Sequence, residues 1–108
     1  MTEEQARQLI ALLEQAQRRP GMFFPLNRDG LSGFLAGIHV AQLAFFGPLE
    51  PSSITDDILR ERGWQTNPTS LWPDMEARHY DFHTAMYEVL TIEIETLRRL
   101  YNIVASSE

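Results

Sequence analysis

After Pro73 the chain runs to Val104 without another proline or any glycine, and its large apolar residues recur at the spacing of one helix face. Met75, Phe82, Met86, Val89, Leu90, Leu97, Leu100 and Val104 fall on one side when residues are placed about 100° apart, as a helix packed on a core requires. Proline suits the first turn of a helix because its missing N–H has no partner there in any case. This segment therefore predicts one long C-terminal helix, or two with a bend near Arg78, and leaves little room for a sheet.

The rest of the chain follows the same period. Thr2 and Gln5 form a capping box, and Ala6, Leu9, Ile10, Leu13 and Ala16 then share a face, predicting a helix from about Glu3 to Arg18 that Pro20 and Gly21 end. Its outer side offers Glu3 with Arg7 and Glu14 with Arg18, each acid four residues before its base. Asn27, Asp29 and Gly30 lead into a second helix whose Leu31, Phe34, Leu35, Ile38, Ala41 and Phe45 share a face. Gly33, Gly37, Ala41 and Ala44 form a small-residue stripe beside it. Small residues cost helix propensity, so the stripe predicts close approach of another backbone, and this helix is expected to be the central, most buried one. Gly47 to Pro51 reads as a loop. Ser53 and Asp56 suggest a capping box for a short helix ending near Gly63, with Ile54, Ile58 and Leu59 on its buried side. Trp64 to Trp72, with Asn67-Pro68 between, reads as an ordered loop pinned by two tryptophans. The expected fold is all-α, a compact four-helix bundle with a long C-terminal helix, in one domain over residues 1–108.

Composition narrows the function. A chain of 108 residues with 44% hydrophobic and 22% charged residues can bury one core without metal or disulfide staples, so no cofactor is required for folding. Fifteen acids against nine basic residues give a net charge of −6, the opposite of what phosphate neutralisation demands, so nucleic acid is not an expected partner. All nine basic residues are Arg and there is no Cys, which removes Schiff-base lysine, thiolate zinc and cysteine-nucleophile chemistry. Thr2 to Arg7 is polar and charged, unlike a signal peptide, and the longest apolar run, Phe34 to Phe46, is too short to cross a bilayer. The expectation is a cytoplasmic protein that does not enter membranes.

Several groups of residues could carry chemistry or binding. Glu76, His79 and His83 stand at helical spacing and could together ligate a divalent transition metal, although the paired Glu-x-x-His elements of di-iron bundles and the His-Glu-x-x-His zinc signature are absent. The plainer alternative for His79 is a hydrogen-bonded core histidine. Glu93 sits on the apolar face between Val89 and Leu97, where a carboxylate needs a partner; Arg28 and Arg60 are candidates, and a raised pKa is the functional alternative. Asp74, Asp81, Glu88 and Glu95, seven residues apart, predict an acidic edge. Residues 74–95 hold six acids against Arg78 alone, nearly the whole net charge, so the edge is either a solvated face or a surface for a basic protein. No Gly-x-Ser-x-Gly elbow or glycine-rich phosphate cradle is present, and no catalytic residue is expected. Met22, Phe23, Phe24 and Leu26 either close one end of the core or form an exposed patch.

The segment Arg19-Pro20-Gly21-Met22-Phe23, followed by Leu31-Ser32-Gly33-Phe34-Leu35-Ala36-Gly37, resembles a group of small bacterial proteins with an Arg-Pro-Gly-Met-aromatic turn and a Phe-Leu-x-Gly helix. The resemblance covers about residues 18–41, with Phe24-Pro25 standing where the group has a small aliphatic residue and Gly, and Gly37-Ile38 where it has Gly-Tyr. Some members look like immunity or antitoxin-type proteins, so the resemblance implies a small helical domain that works by binding. Three readings follow. The first is a noncatalytic interaction module whose acidic edge meets a basic protein. The second is a helical metal-binding protein using Glu76, His79 and His83. The third is self-association, as a homodimer, through Gly33, Gly37 and Ala41.

Overall fold

In the computed structural model, residues 2–46, 52–66 and 71–103 are described. Five α-helices lie among them: α1 Glu3–Arg18, α2 Arg28–Phe46, α3 Ser52–Glu61, α4 Leu71–Ala77 and α5 Phe82–Leu100. The described residues contain no strand. The described residues are all-helical. Of the two forms open to the C-terminal segment it takes the one broken near Arg78, so five helices stand in place of the expected bundle of four with one long C-terminal helix.

α1 begins as its capping box requires. The Thr2 Oγ1 accepts from the Gln5 N–H at 3.1 Å while the Gln5 Oε1 accepts from the Thr2 N–H at 2.9 Å, satisfying two donors that the helix itself cannot. Ala6, Ile10, Leu13 and Ala16 are buried along one row. A 3-10 turn over Pro20–Met22 then drops the chain onto the end of the core. Phe24 is buried there and Phe23 half-buried, both packed on the Phe34 ring. Met22 and Leu26 stay exposed, so only half of this apolar cluster closes the core. Asn27 receives the start of α2, its Oδ1 accepting from the Gly30 N–H at 2.7 Å. Glycine is required at that point, because a Cβ on Gly30 would collide with the Pro25 carbonyl.

α5, not α2, is the central helix. Met86, Leu90, Ile94 and Leu97 bury one side of it with Ala6, Ile10, Leu13 and Ala16 of α1. Ala85 and Ile92 bury another side with Ile58 and Leu59 of α3, Met75 of α4 and Trp64. α2 contributes Leu31, with Phe34, Leu35 and Ile38 half-buried, and exposes Gly33, Ala36, Gly37, Val40, Ala41, Leu43 and Ala44. Burial on two sides explains why Ile92, off the single predicted face, is buried, while Ile94 widens the side that meets α1. Thr96 is also buried, its hydroxyl donating to the Ile92 carbonyl at 2.8 Å.

Three helices end in the same way. The Trp64 N–H reaches the Leu59 carbonyl and the Gly63 N–H the Arg60 carbonyl; Tyr80 and His79 repeat this with Met75 and Glu76, and Ile103 and Asn102 with Arg98 and Arg99. This nested pair of bonds is the Schellman motif, which places its penultimate residue in the left-handed region. Gly63, His79 and Asn102 accordingly have φ of 83°, 63° and 55°. Each following residue, Trp64, Tyr80 and Ile103, folds back into or against the core. Asp81 then restarts the chain as α5, its carboxylate accepting from the Thr84 N–H at 2.7 Å. Pro73 lies inside α4 and Ser53 inside α3, each slightly later than the sequence pattern suggests. The 47–51 loop, Asn67-Pro68, the Phe45 side chain and Val104 lie outside the described residues.

A left-handed histidine carries the strain of its Cβ. Replacing His79 with Gly should therefore raise stability by up to about 1 kcal/mol in urea unfolding. A loss of stability would contradict this account of the α4–α5 junction.

Candidate functional site

The left-handed turn at His79 separates the residues expected to act together. Glu76 is on α4, His79 is in the turn and His83 is on α5, all three exposed. The helical register that would stack them on one face is interrupted. Among the described residues no three His, Cys, Asp or Glu side chains converge where they could hold a metal ion. His79 is likewise no buried polar residue; the chain reversal carries it off the apolar face on which a continuous helix would place it.

The four acids of the predicted edge are divided between α4 and α5, and three of them are engaged within the chain. Asp81 caps α5, and the Thr84 backbone N–H holds its carboxyl below the usual range. Glu88 is the hub of a larger network. Arg62 donates to both of its oxygens, at 2.8 and 2.6 Å, and the Trp64 indole N–H donates at 2.7 Å. The Glu88 side chain is only 13% exposed, and the Arg62 hydrogen bonds lower its pKa despite partial burial. Arg78 stacks 4.0 Å above the Trp64 ring and donates to the Gly63 carbonyl at 2.9 Å. The network thus ties the end of α3 to α5. Glu95 lies 3.2 Å from Arg99 and 3.9 Å from Arg98. Asp74 is half-exposed on α4.

Glu93 is not deeply buried, and neither Arg28 nor Arg60 is its partner. Its carboxylate meets the His39 Nε2 at 2.8 Å, with the Glu93 side chain 27% exposed. Arg28 instead lies 3.5 Å from Glu76 and above the Trp72 ring, while Arg60 pairs with Asp57 at 3.1 Å. Glu14, expected to pair with Arg18, reaches Arg98 at 3.1 Å. The His39 hydrogen bond spans α2 and α5 and raises the histidine pKa against the opposing effect of partial burial. It favours imidazolium paired with carboxylate, a structural tie between helices that sequence spacing alone could not reveal.

What α2 leaves exposed is an apolar face. Gly33, Ala36, Gly37, Val40, Ala41, Leu43 and Ala44 all point to solvent, with Val40 65% and Leu43 58% exposed. A Cβ added at Gly33 or Gly37 would meet nothing within 4 Å. Among the described residues the small-residue stripe therefore lies open, with no other described segment seated on it. Residues 30–46 include no Asp, Glu, Lys or Arg, and the one ionisable side chain among them, His39, is paired with Glu93. No helix among the described residues is long and apolar enough to cross a membrane.

No protein-family model, curated protein or solved structure matches the chain.

The His39–Glu93 pair makes stability depend on pH. A folded pKa above the unfolded value contributes stability that is complete below about pH 6.5 and is lost as the pH rises through the folded pKa. Wild type should therefore exceed His39→Gln in stability by more at about pH 6 than at about pH 8.5 in urea unfolding. An advantage that is constant or grows with pH would contradict the assignment.

Proposed function

We propose that this chain is a noncatalytic interaction module and that the outer face of α2 is the surface it presents. The observation that carries this reading is the pairing of high exposure at Val40 and Leu43 with a helix stretch that holds no Asp, Glu, Lys or Arg. Single exposed apolar residues are ordinary, whereas a contiguous uncharged apolar helix face marks a place for a partner. The resemblance of Arg19–Phe23 and Leu31–Gly37 to small bacterial proteins, some immunity- or antitoxin-like, supports action by binding. The cysteine-free composition suits a cytoplasmic setting.

The acidic edge gives weaker support for a basic partner. Arg62, Arg98 and Arg99 already accompany Glu88 and Glu95, and Asp81 is committed to a helix start. Recruiting those carboxylates would break contacts that hold α3 and α5.

A photoreactive amino acid placed at position 40 or 43 of the full chain in cells should cross-link to protein, while the same probe at Tyr87, which is also well exposed, should not. Absence of adducts from positions 40 and 43, or equal yields from 87, would remove the α2 face as the functional surface.

A further inference from the structure

We infer that the occupant of the α2 face is a second copy of this chain, docked α2 against α2 about a two-fold axis; the inference rests on α2 being the interaction surface. Electrostatics favour a second copy. Every one of the fifteen acids and nine arginines lies outside residues 30–46, and each copy carries a net charge of −6. Two such copies repel unless they meet where neither carries charge. The α2 face satisfies that condition on both copies at once, since its one ionisable group, His39, is balanced by Glu93. A basic protein, by contrast, would gain nothing from a neutral face and would be drawn toward the acids of α4 and α5.

Symmetry favours it as well. A two-fold contact sets the same patch against itself, so every charge on the patch must find complementarity in its own copy. A patch that holds no Asp, Glu or Arg meets this requirement, the His39 imidazolium at its edge being balanced by Glu93 of its own copy. Shape agrees with it. Val40 and Leu43 project from α2, while the backbone at Gly33 and Gly37 is bare and open. An antiparallel pairing brings Val40 of each copy over the Gly33–Gly37 stretch of the other and opposes the two helix dipoles favourably. His39 and Glu93 then stand at the edge of the contact as a polar rim.

The face from Gly33 to Ala44 is about 17 Å long at the rise of an α-helix. One helix pair of that length belongs to the small class of interfaces, so association is expected in the micromolar range. Sedimentation of the purified full chain from about 5 to about 500 μM should show its weight-average mass rising from monomer toward dimer. Val40→Glu and Leu43→Glu should each shift the dissociation constant upward by at least about tenfold while circular dichroism stays unchanged. Tyr87→Glu should leave association unaltered. Because the chain has no cysteine of its own, Gly37→Cys provides an independent readout, since a residue close to the axis should form an intermolecular disulfide on mild oxidation.

A monomer throughout that concentration range overturns the inference, and so does a dimer indifferent to both glutamate substitutions and untrapped by Gly37→Cys. A monomeric purified chain that still cross-links to a different protein from positions 40 and 43 would overturn this inference alone and leave the interaction module standing. Loss of cross-links together with a monomeric chain would remove both.

Discussion

The structure depends on burying α5 from two directions. Leu90 is fully enclosed, and with Met86, Ile94 and Leu97 it packs against the inward row of α1. Ala85 and Ile92 close against α3, α4 and Trp64. A fully buried leucine contributes roughly 1.5–3 kcal/mol relative to exposure, so this helix supplies a large share of the drive to fold. Its two flanks are then secured by polar ties of different kinds. Arg62 and the Trp64 indole lock onto Glu88 at the end of α3, and His39 reaches Glu93 from α2.

The position of α2 is a consequence of that arrangement. With α1 and α3 occupying α5, α2 finds only a narrow seat. Leu31 enters the core, Phe34 meets the two phenylalanines delivered by the Arg19–Phe24 turn, and Leu35 and Ile38 are half-buried. The most apolar helix of the chain therefore keeps an apolar outer face. A helix rich in glycine and alanine is a poor surface for solubility but a good one for close approach by another backbone. The same placement that makes α2 peripheral to the fold makes it central to the proposed function.

Much of the fold was legible because it is set by local chemistry. The Thr2–Gln5 capping box, the row from Ala6 to Ala16 and the Asn27–Gly30 turn act within a few residues, and each appears where its pattern placed it. The break between α4 and α5 was less legible, because its left-handed residue is His79 where glycine is usual. Asp81, a good N-cap three residues before Thr84, was the available signal. The burial of α2 was misjudged for a different reason: apolar content reports a preference for burial, while tertiary packing decides which helix obtains it. The site contacts were hidden by distance in sequence. His39 and Glu93 come from different helices, and the arginine and tryptophan that bind Glu88 arrive from the end of α3. An acidic run read along one segment cannot show the cations that another segment brings to it.

The central claim is that Val40 and Leu43 face outward from the folded chain until a second copy covers them. It is tested most directly by the response of their methyl resonances to a soluble paramagnetic chelate across a dilution series, with the Leu90 methyls as the buried reference. The account predicts strong broadening of the Val40 and Leu43 signals in dilute protein, growing protection as concentration rises, and no broadening of Leu90 at any concentration. Val40 and Leu43 signals as protected as those of Leu90 at the lowest concentration at which the chain is monomeric would show that α2 turns this face inward. That result would contradict the account.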